Sequence, residues 1–341
     1  MSDVAKKAGV HPSTVSLALR NHPSIPRVTC ERIRALADRL GYRPNPLVSA
    51  LVAERKRRRP SGYGSTLAFL TAGRAPDEWK LSPNYVVLHD AMQVHADLRG
   101  YRLERFWLEE PGMSPARLRQ ILISRGIRGI VVCPLFGPPR GLDFDFSGFA
   151  AVEIGHTVSS PNLHRVSINY YAVIRLAMER LRATGHRRIG LATTSQVDNR
   201  VNHLSLAAFL AERHNDPKHF VAPLTRSHWD RESLGPWLQA KRPDAIMVPL
   251  AGDHGLFGTL LRDLSVSVPR DLSLVCLDSL PGSRQSGVVQ DLEAAGRAAV
   301  DLVTSHVERA DFGVPRRPQM IVVDGDWQDG DSFMPRGPGS V

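Results

Sequence analysis

The chain has 341 residues, of which 42% are hydrophobic and 23% charged, and its net charge is +10. This length exceeds one ordinary hydrophobic core, so we expect two or three domains, and no apolar run is long enough for a transmembrane helix. The opening residues lack the apolar core of a secretion signal and the three cysteines are widely spaced, so we expect a cytoplasmic protein without disulfides, metal or cofactor.

The positive charge is concentrated in the first sixty residues. They contain 13 Lys and Arg against four Asp and Glu, a net charge of +9, so the rest of the chain is nearly neutral. A small basic segment joined to a nearly neutral body indicates that the segment binds a polyanion. The body is then expected to bind a different partner.

Three short helices are predicted in this basic segment, over residues 3–8, 12–20 and 30–40. Gly9 allows a tight turn after the first helix, and Pro12 suits the first turn of the second. Thr29 is the expected N-cap of the third helix, and Gly41 is expected to end it. Three helices around one small core predict a helix-turn-helix DNA-binding unit. A basic three-helix bundle that binds protein is the alternative.

This segment resembles the DNA-binding head-piece of the lactose-repressor/galactose-repressor family of bacterial transcription factors. The resemblance rests on Asp3-Val4-Ala5, Ala8-Gly9-Val10, Thr14-Val15-Ser16, Leu19, Thr29, Arg32, Leu40-Gly41-Tyr42 and Pro44-Asn45. It implies that the second helix lies in the major groove. The base-reading residues would then be Pro12, Ser13 and Leu17 with His11 beside them, and Thr14, Ser16 and Asn21 would contact phosphates or the groove edge. Leu17 cannot hydrogen-bond a guanine but can pack on a thymine methyl group.

Residues 45–64 are predicted to form a hinge helix followed by a basic linker. Asn45-Pro46 is a good helix start, and Leu47, Val48 and Leu51 form an apolar stripe. The resemblance implies that the hinge helix orders on operator DNA, where Leu51 wedges into the minor groove. Packing of Leu51 against the body is the alternative. The cationic run 55–59, including Arg55 and Arg57, should add salt-dependent attraction to phosphates.

From residue 65 onward, β-rich runs alternate with helical runs. Strands are predicted over residues 66–70, 102–107, 129–133, 150–154, 188–192, 245–249 and 272–277, and helices over 84–99, 115–125, 170–184, 201–213, 232–241, 256–264 and 292–309. This alternation predicts a doubly wound α/β body with parallel sheets in two lobes, approximately 65–160 and 161–290, and a C-terminal segment that crosses back. A ligand is expected in the crevice at the carboxyl ends of the strands. The predicted domains are thus a head-piece, 1–44, the hinge and linker, 45–64, and the body, 65–341.

Three sequence segments of the body resemble the periplasmic-binding-protein-like core of the same family. These are Gly100-Tyr101, Thr184-Gly185-His186-Arg187-Arg188-Ile189-Gly190 and the run from Pro269 to Asp278. By position, the resemblance implies Arg200 and Asp278 as effector contacts, with Asn169 and Asp253 as further candidates. Each could instead be an ordinary surface or salt-bridging residue. A guanidinium and a carboxylate in a cleft suit a hydroxyl-rich ligand, or a ligand carboxylate in the case of Arg200.

Three aromatic residues, Trp79, Tyr85 and Phe136, could stack on a ligand ring, although packing in the core is the default for each. The sequence contains no GxSxG, HExxH, GxGxxG or P-loop pattern, so we predict no catalytic residue and no enzyme. The resemblance implies a homodimeric, ligand-responsive transcriptional regulator, most often a repressor. It would bind a near-palindromic operator in double-stranded DNA and respond to a small molecule, with a carbohydrate as the family-level expectation. A cytoplasmic sugar receptor without a DNA role and an activator that senses a partner protein are the alternatives.

Overall fold

The computed structural model describes residues 2–19, 25–40, 65–250 and 255–336. The described part of the head contains three helices, α1 (Ser2–Ala8), α2 (Pro12–Leu19) and α3 (Arg27–Arg39). Their common core is built from small and branched side chains, namely Val4, Ala5, Val15, Ala18, Cys30, Ile33 and Ala37. Gly9 between α1 and α2 has φ +67°, a left-handed conformation that glycine adopts without a steric penalty.

The third helix begins earlier than the sequence suggested, so the prediction of Thr29 as its N-cap is wrong. Pro26 precedes the first helical residue, and its carbonyl accepts hydrogen bonds from the Thr29 and Cys30 amides at 2.9 and 3.0 Å. Thr29 therefore lies in the first turn of α3. Proline suits this place because its missing N–H would have no partner inside the helix.

The first lobe is built on a six-stranded parallel sheet in the order β13-β7-β5-β3-β1-β2. Its strands are β1 (Ser65–Thr71), β2 (Tyr101–Trp107), β3 (Gly129–Val132), β5 (Ala150–Ile154), β7 (His164–Ile168) and β13 (Met320–Val323). The helices α4 (Pro83–Leu98) and α5 (Pro115–Ser124) connect its first strands. Leu67 and Phe69 belong to one core, and Ala68 and Leu70 to another, so this sheet is buried on both faces.

The second lobe has a six-stranded sheet in the order β14-β12-β11-β10-β8-β9, in which only the β12–β14 pair is antiparallel. Its strands are β8 (Ile189–Thr194), β9 (Leu224–Arg226), β10 (Ala245–Val248), β11 (Ser273–Ser279), β12 (Gly287–Gln290) and β14 (Gly325–Gln328). The helices between them are α6 (Tyr170–Ala183), α7 (Ser195–Arg200), α8 (Leu204–Asn215), α9 (Arg231–Lys241) and α10 (Leu256–Asp263). Short pieces complete the body: a β4–β6 pair (Arg140–Gly141 with Val158–Ser160) and 3₁₀ turns at Glu78–Leu81 and Pro217–His219.

The chain crosses between the two lobes three times. The first crossing follows β7, which the predicted boundary near residue 160 would have assigned to the second lobe but which pairs with β5 of the first sheet. After β12 the chain returns through α11 (Leu292–Arg309), which packs on β3, β5 and β7. It then adds β13 to the first sheet and β14 to the second. The two-lobed doubly wound α/β fold predicted from the sequence is confirmed. Among the described residues, no helix is both long and apolar enough to span a membrane.

Candidate functional site

A cavity of about 170 Å³ lies between the lobes, at the carboxyl ends of strands from both sheets. Strand ends line it from the first lobe (Ile154, Ile168) and from the second (Leu191, Leu277). The polar residues on its wall are Ser82, Asn84, Tyr85, His156, Thr157, Ser167, Tyr170, Thr193, Arg200, Ser205, Asp278 and Gln290. Doubly wound sheets place their ligands at such strand ends, so this cavity is the candidate binding site.

Arg200 reaches into this cavity from the second lobe. It is the last residue of α7, a short helix capped by Thr194, whose side chain accepts from the Val197 amide at 3.2 Å. The guanidinium donates to the backbone carbonyls of Leu135 and Gly137, the latter at 3.1 Å, and to the Tyr85 hydroxyl. These acceptors all belong to the first lobe, so Arg200 spans the cleft.

The aromatic pair that contacts Arg200 comes from two parts of the first lobe. The Tyr85 ring, on α4, meets the Phe136 ring edge to face at 5.5 Å between centroids. The guanidinium carbon lies 5.9 Å from the Phe136 ring centre, within the range of a cation–π contact. Burial raises the pKa of the Tyr85 phenol, although Arg200 opposes that shift, so the hydroxyl stays protonated at neutral pH.

Asp278 lies at the carboxyl end of β11 and lines the same cavity. Its Oδ1 accepts from the Leu250 amide at 2.7 Å and from the Cys276 thiol at 3.4 Å. Burial raises the pKa of that thiol, so Cys276 is a neutral donor. The structure therefore brings together Arg200 and Asp278, the two residues that the sequence favoured as effector contacts.

Asn169 is not part of this group. The Asn169 side chain caps α6, because its Oδ1 accepts from the Ala172 amide at 3.1 Å, while its amide donates to Asp324 at 2.8 Å. Asn169 is absent from the residues that line the cavity. Asp253 lies outside the described residues. Trp79 is buried against Phe69, at 5.5 Å between ring centroids, and is likewise absent from the cavity wall.

His156 lines the cavity, and no motif in the sequence indicated it. It follows β5 and is only 6% exposed, and its Nε2 lies 2.9 Å from the Ser167 hydroxyl. Burial, with a smaller effect of Arg165, lowers its pKa to about 4, so the imidazole is neutral near pH 7. Arg200 is therefore the one cationic side chain among the described residues that line the cavity.

Several of the residues predicted to contact DNA lie on α2 of the head. Val15 and Ala18 face the core, whereas Thr14 and Leu17 are only partly buried. His11 precedes the helix and is exposed, and its carbonyl accepts from the Thr14 amide at 2.9 Å. Of the other predicted DNA contacts, three belong to α2 (Pro12, Ser13 and Ser16), and four lie outside the described residues (Asn21, Leu51, Arg55 and Arg57).

Comparisons with known proteins give separate matches for the head and for the body. Residues 1–45 match the family model for bacterial regulatory proteins of the lacI family, and residues 178–333 match that for a periplasmic binding protein-like domain. The chain is 26% identical over 326 residues to the HTH-type transcriptional regulator GntR of Pseudomonas aeruginosa, across 88% of this chain and 87% of the relative.

Two solved structures are similar over nearly the whole chain. The lac repressor dimer bound to operator and the anti-inducer ONPF has a TM-score of 0.56 at 18% identity, covering 97% of each chain. The transcriptional regulator CelR in complex with cellobiose has a TM-score of 0.56 at 19% identity, covering 96% of this chain and 98% of that one. These likenesses concern the fold.

Proposed function

This chain belongs to the lactose-repressor/galactose-repressor family, and from that premise we propose that it represses transcription as a homodimer on a near-palindromic operator, under the control of a small molecule. It is a ligand-responsive DNA-binding regulator and not an enzyme. The observation that carries the proposal is the presence, in one chain, of a three-helix DNA-reading head and a two-lobed body with a polar cavity. A cytoplasmic location follows from this role.

The exposed side of α2 supports the assignment of base contacts. A recognition helix must bury one face in its own domain and leave the other for base edges. In α2 the buried face carries Val15 and Ala18, and Thr14 and Leu17 lie beside it with their side chains partly accessible. We therefore propose base contacts for Pro12, Ser13 and Leu17 with His11 beside them, and contacts to phosphates or the groove edge for Thr14, Ser16 and Asn21. The hinge contacts are Leu51, Arg55 and Arg57.

Exposed apolar residues on α4 support self-association. Val94 and Leu98 are four residues apart on one side of the helix, and each is 61% exposed; Leu81, just before the helix, is 67% exposed. Symmetric dimers bury such a patch against its own copy. Two heads joined in this way would read two half-sites about one helical turn apart.

The chemistry of the cavity supports a hydroxyl-rich effector, and we propose a carbohydrate. Asp278 can accept from ligand hydroxyl groups, and Arg200 can donate to ligand oxygens. Tyr85 and Tyr170 add ring surface to the same wall. Ligand held between the lobes would favour one lobe orientation, and the first lobe would transmit this change through β1, the first strand after the hinge.

Binding of the full chain to duplexes from its own upstream region tests the proposal. We expect specific binding that weakens steeply with salt, because phosphate contacts release counterions. A matched unrelated duplex should bind at least about a thousandfold more weakly at physiological salt. Failure to bind any upstream duplex at low salt would refute the proposal.

A further inference from the structure

The two lobes are joined across the cavity by one cationic side chain. Arg200 lies in the second lobe as the last residue of α7, the helix that directly follows β8, and its three hydrogen-bond acceptors lie in the first lobe. Two of these acceptors are the backbone carbonyls of Leu135 and Gly137, and the third is the Tyr85 hydroxyl. Arg200 and Tyr85 both line the cavity.

The acceptors are themselves fixed to the first lobe. The Cys133 amide donates to Leu70 of β1 at 2.9 Å, and the buried Leu135 amide donates to the Thr157 hydroxyl at 2.8 Å. These bonds anchor the segment 133–137, which follows β3, to its own sheet. A change in lobe orientation therefore cannot carry these carbonyls along with Arg200.

Arg200 makes charge-assisted hydrogen bonds, but none of its three described acceptors carries a negative charge. Hydrogen bonds from a guanidinium are charge-assisted, and its three described partners are all neutral. A carboxylate partner would make an ion pair that resists exchange, whereas neutral oxygens can be replaced by the oxygens of another molecule. The hydrogen bonds of Arg200 can therefore hold the two lobes in one relative orientation. They can also be replaced by hydrogen bonds to a ligand.

We propose that Arg200 is an interlobe latch, which holds the lobes in one relative orientation through Leu135, Gly137 and Tyr85. This inference deepens the proposed function, since an effector that contacts Arg200 must compete with these three acceptors. Release of the latch and the change in lobe orientation are then the same event. Effector binding at the cavity would be coupled to the heads by the loss of these contacts.

Hydrogen–deuterium exchange on the full chain, without DNA or added small molecule, tests the latch. Tyr85→Phe removes one acceptor and keeps the ring on Phe136. Arg200→Lys keeps the charge and removes the planar group that reaches three acceptors at once. In both variants, peptides that cover residues 133–138 and 195–201 should exchange at least about tenfold faster than in the parent, since each loses a charge-assisted bond.

Tyr170→Phe is the matched control, because it removes a buried hydroxyl from the same cavity wall that is not hydrogen-bonded to Arg200 in the described structure. Its exchange at 133–138 should equal that of the parent. Unchanged exchange in both latch variants, or equally fast exchange in the control, would overturn the proposal. If Tyr85→Phe does not fold, Arg200→Lys still decides. Since the assay uses neither DNA nor effector, a protein that binds no operator could still pass it, and an operator-binding protein could fail it.

Discussion

Gly296 of α11 lies directly against the backbone of α4 at Leu88. A Cβ atom at position 296 would be 3.0 Å from the Leu88 carbonyl oxygen, 3.1 Å from the Ala91 Cβ and 3.2 Å from the Met92 nitrogen. The absence of a side chain thus lets the two helices meet backbone to backbone. Leu88 from one helix, and Leu292 and Ala295 from the other, reach the cavity wall because of this close approach.

Gly296→Ala should therefore destabilise the body. Alanine favours a helix over glycine by about 1 kcal/mol, but here the new methyl group would press on a helix backbone, and such overpacking costs about 1–3 kcal/mol. We expect a net loss of roughly 1 kcal/mol in the free energy of unfolding, measured by urea titration. Gly258→Ala in α10 is the control, because its nearest neighbour would be the end of the Arg262 side chain at 4.0 Å. That variant should gain stability, and equal gains in both would contradict the packing account.

The head should depend on a single buried isoleucine. Ile33 is fully buried and is one of the seven buried residues of the head core, and its truncation to alanine should cost about 2–5 kcal/mol. A domain of this size has little stability to spare, so Ile33→Ala should abolish operator binding while the thermal unfolding of the body stays unchanged. Val28→Ala, on the same helix at a side chain that is 78% exposed, should bind DNA like the parent. Retained operator binding in Ile33→Ala would show that the head core is not built as described.

His156 should make the body acid-sensitive. Its folded pKa, about 4, lies below the ordinary value of 6.5, so the unfolded chain binds the proton more readily. Stability is complete above pH 6.5 and falls as the pH drops toward 4. Between pH 7 and pH 5 the parent should lose about 2 kcal/mol more than His156→Gln, which does not titrate. Urea titrations of both proteins at both pH values measure this difference, in which the other titrating groups cancel; equal losses would contradict a buried neutral imidazole.

Asp278 and Asn169 should behave differently toward effectors. Asp278→Asn replaces an acceptor on the cavity wall with a donor, so it should abolish or sharply reduce any rise in melting temperature caused by a carbohydrate, with cellobiose as the first probe. Asn169→Ser retains an N-cap oxygen for α6 and should leave that rise intact, because Asn169 caps a helix away from the cavity wall. A thermal-shift screen of both variants and the parent measures this. If Asn169→Ser alone lost the response, the assignment of the binding wall would be wrong.

The sequence predicted the elements whose pattern is local. All seven predicted strands and all seven predicted helices of the body are present, because buried parallel strands are continuous apolar runs and the helices carry helical periodicity. The strands it missed have at most five residues each; β9, β13 and β14 lie at sheet edges, whereas β7 and β12 lie inside their sheets. In β13, exposed and partly buried residues alternate around Met320 and Val322, and only pairing with β7 makes this segment a strand.

The binding wall could be predicted only in part, for a similar reason. Arg200 and Asp278 lie in or after sequence segments that resemble the family, so their roles could be inferred from position. His156 is marked by no motif, and it becomes part of the wall only because β5 and β7 are neighbours and bring it to Ser167. The contact between Arg200 and Tyr85 joins residues 115 positions apart, and no local pattern encodes it.

Thermodynamic coupling between effector binding and operator binding is the property on which the proposed regulation depends. The dissociation constant of the full chain for its operator would be measured with and without a compound that raises the melting temperature of the parent but not of Asp278→Asn. We expect the compound to change the operator affinity at least about fivefold, and operator to change the affinity for the compound by the same factor. An operator affinity that is identical at zero and at saturating compound would contradict this coupling.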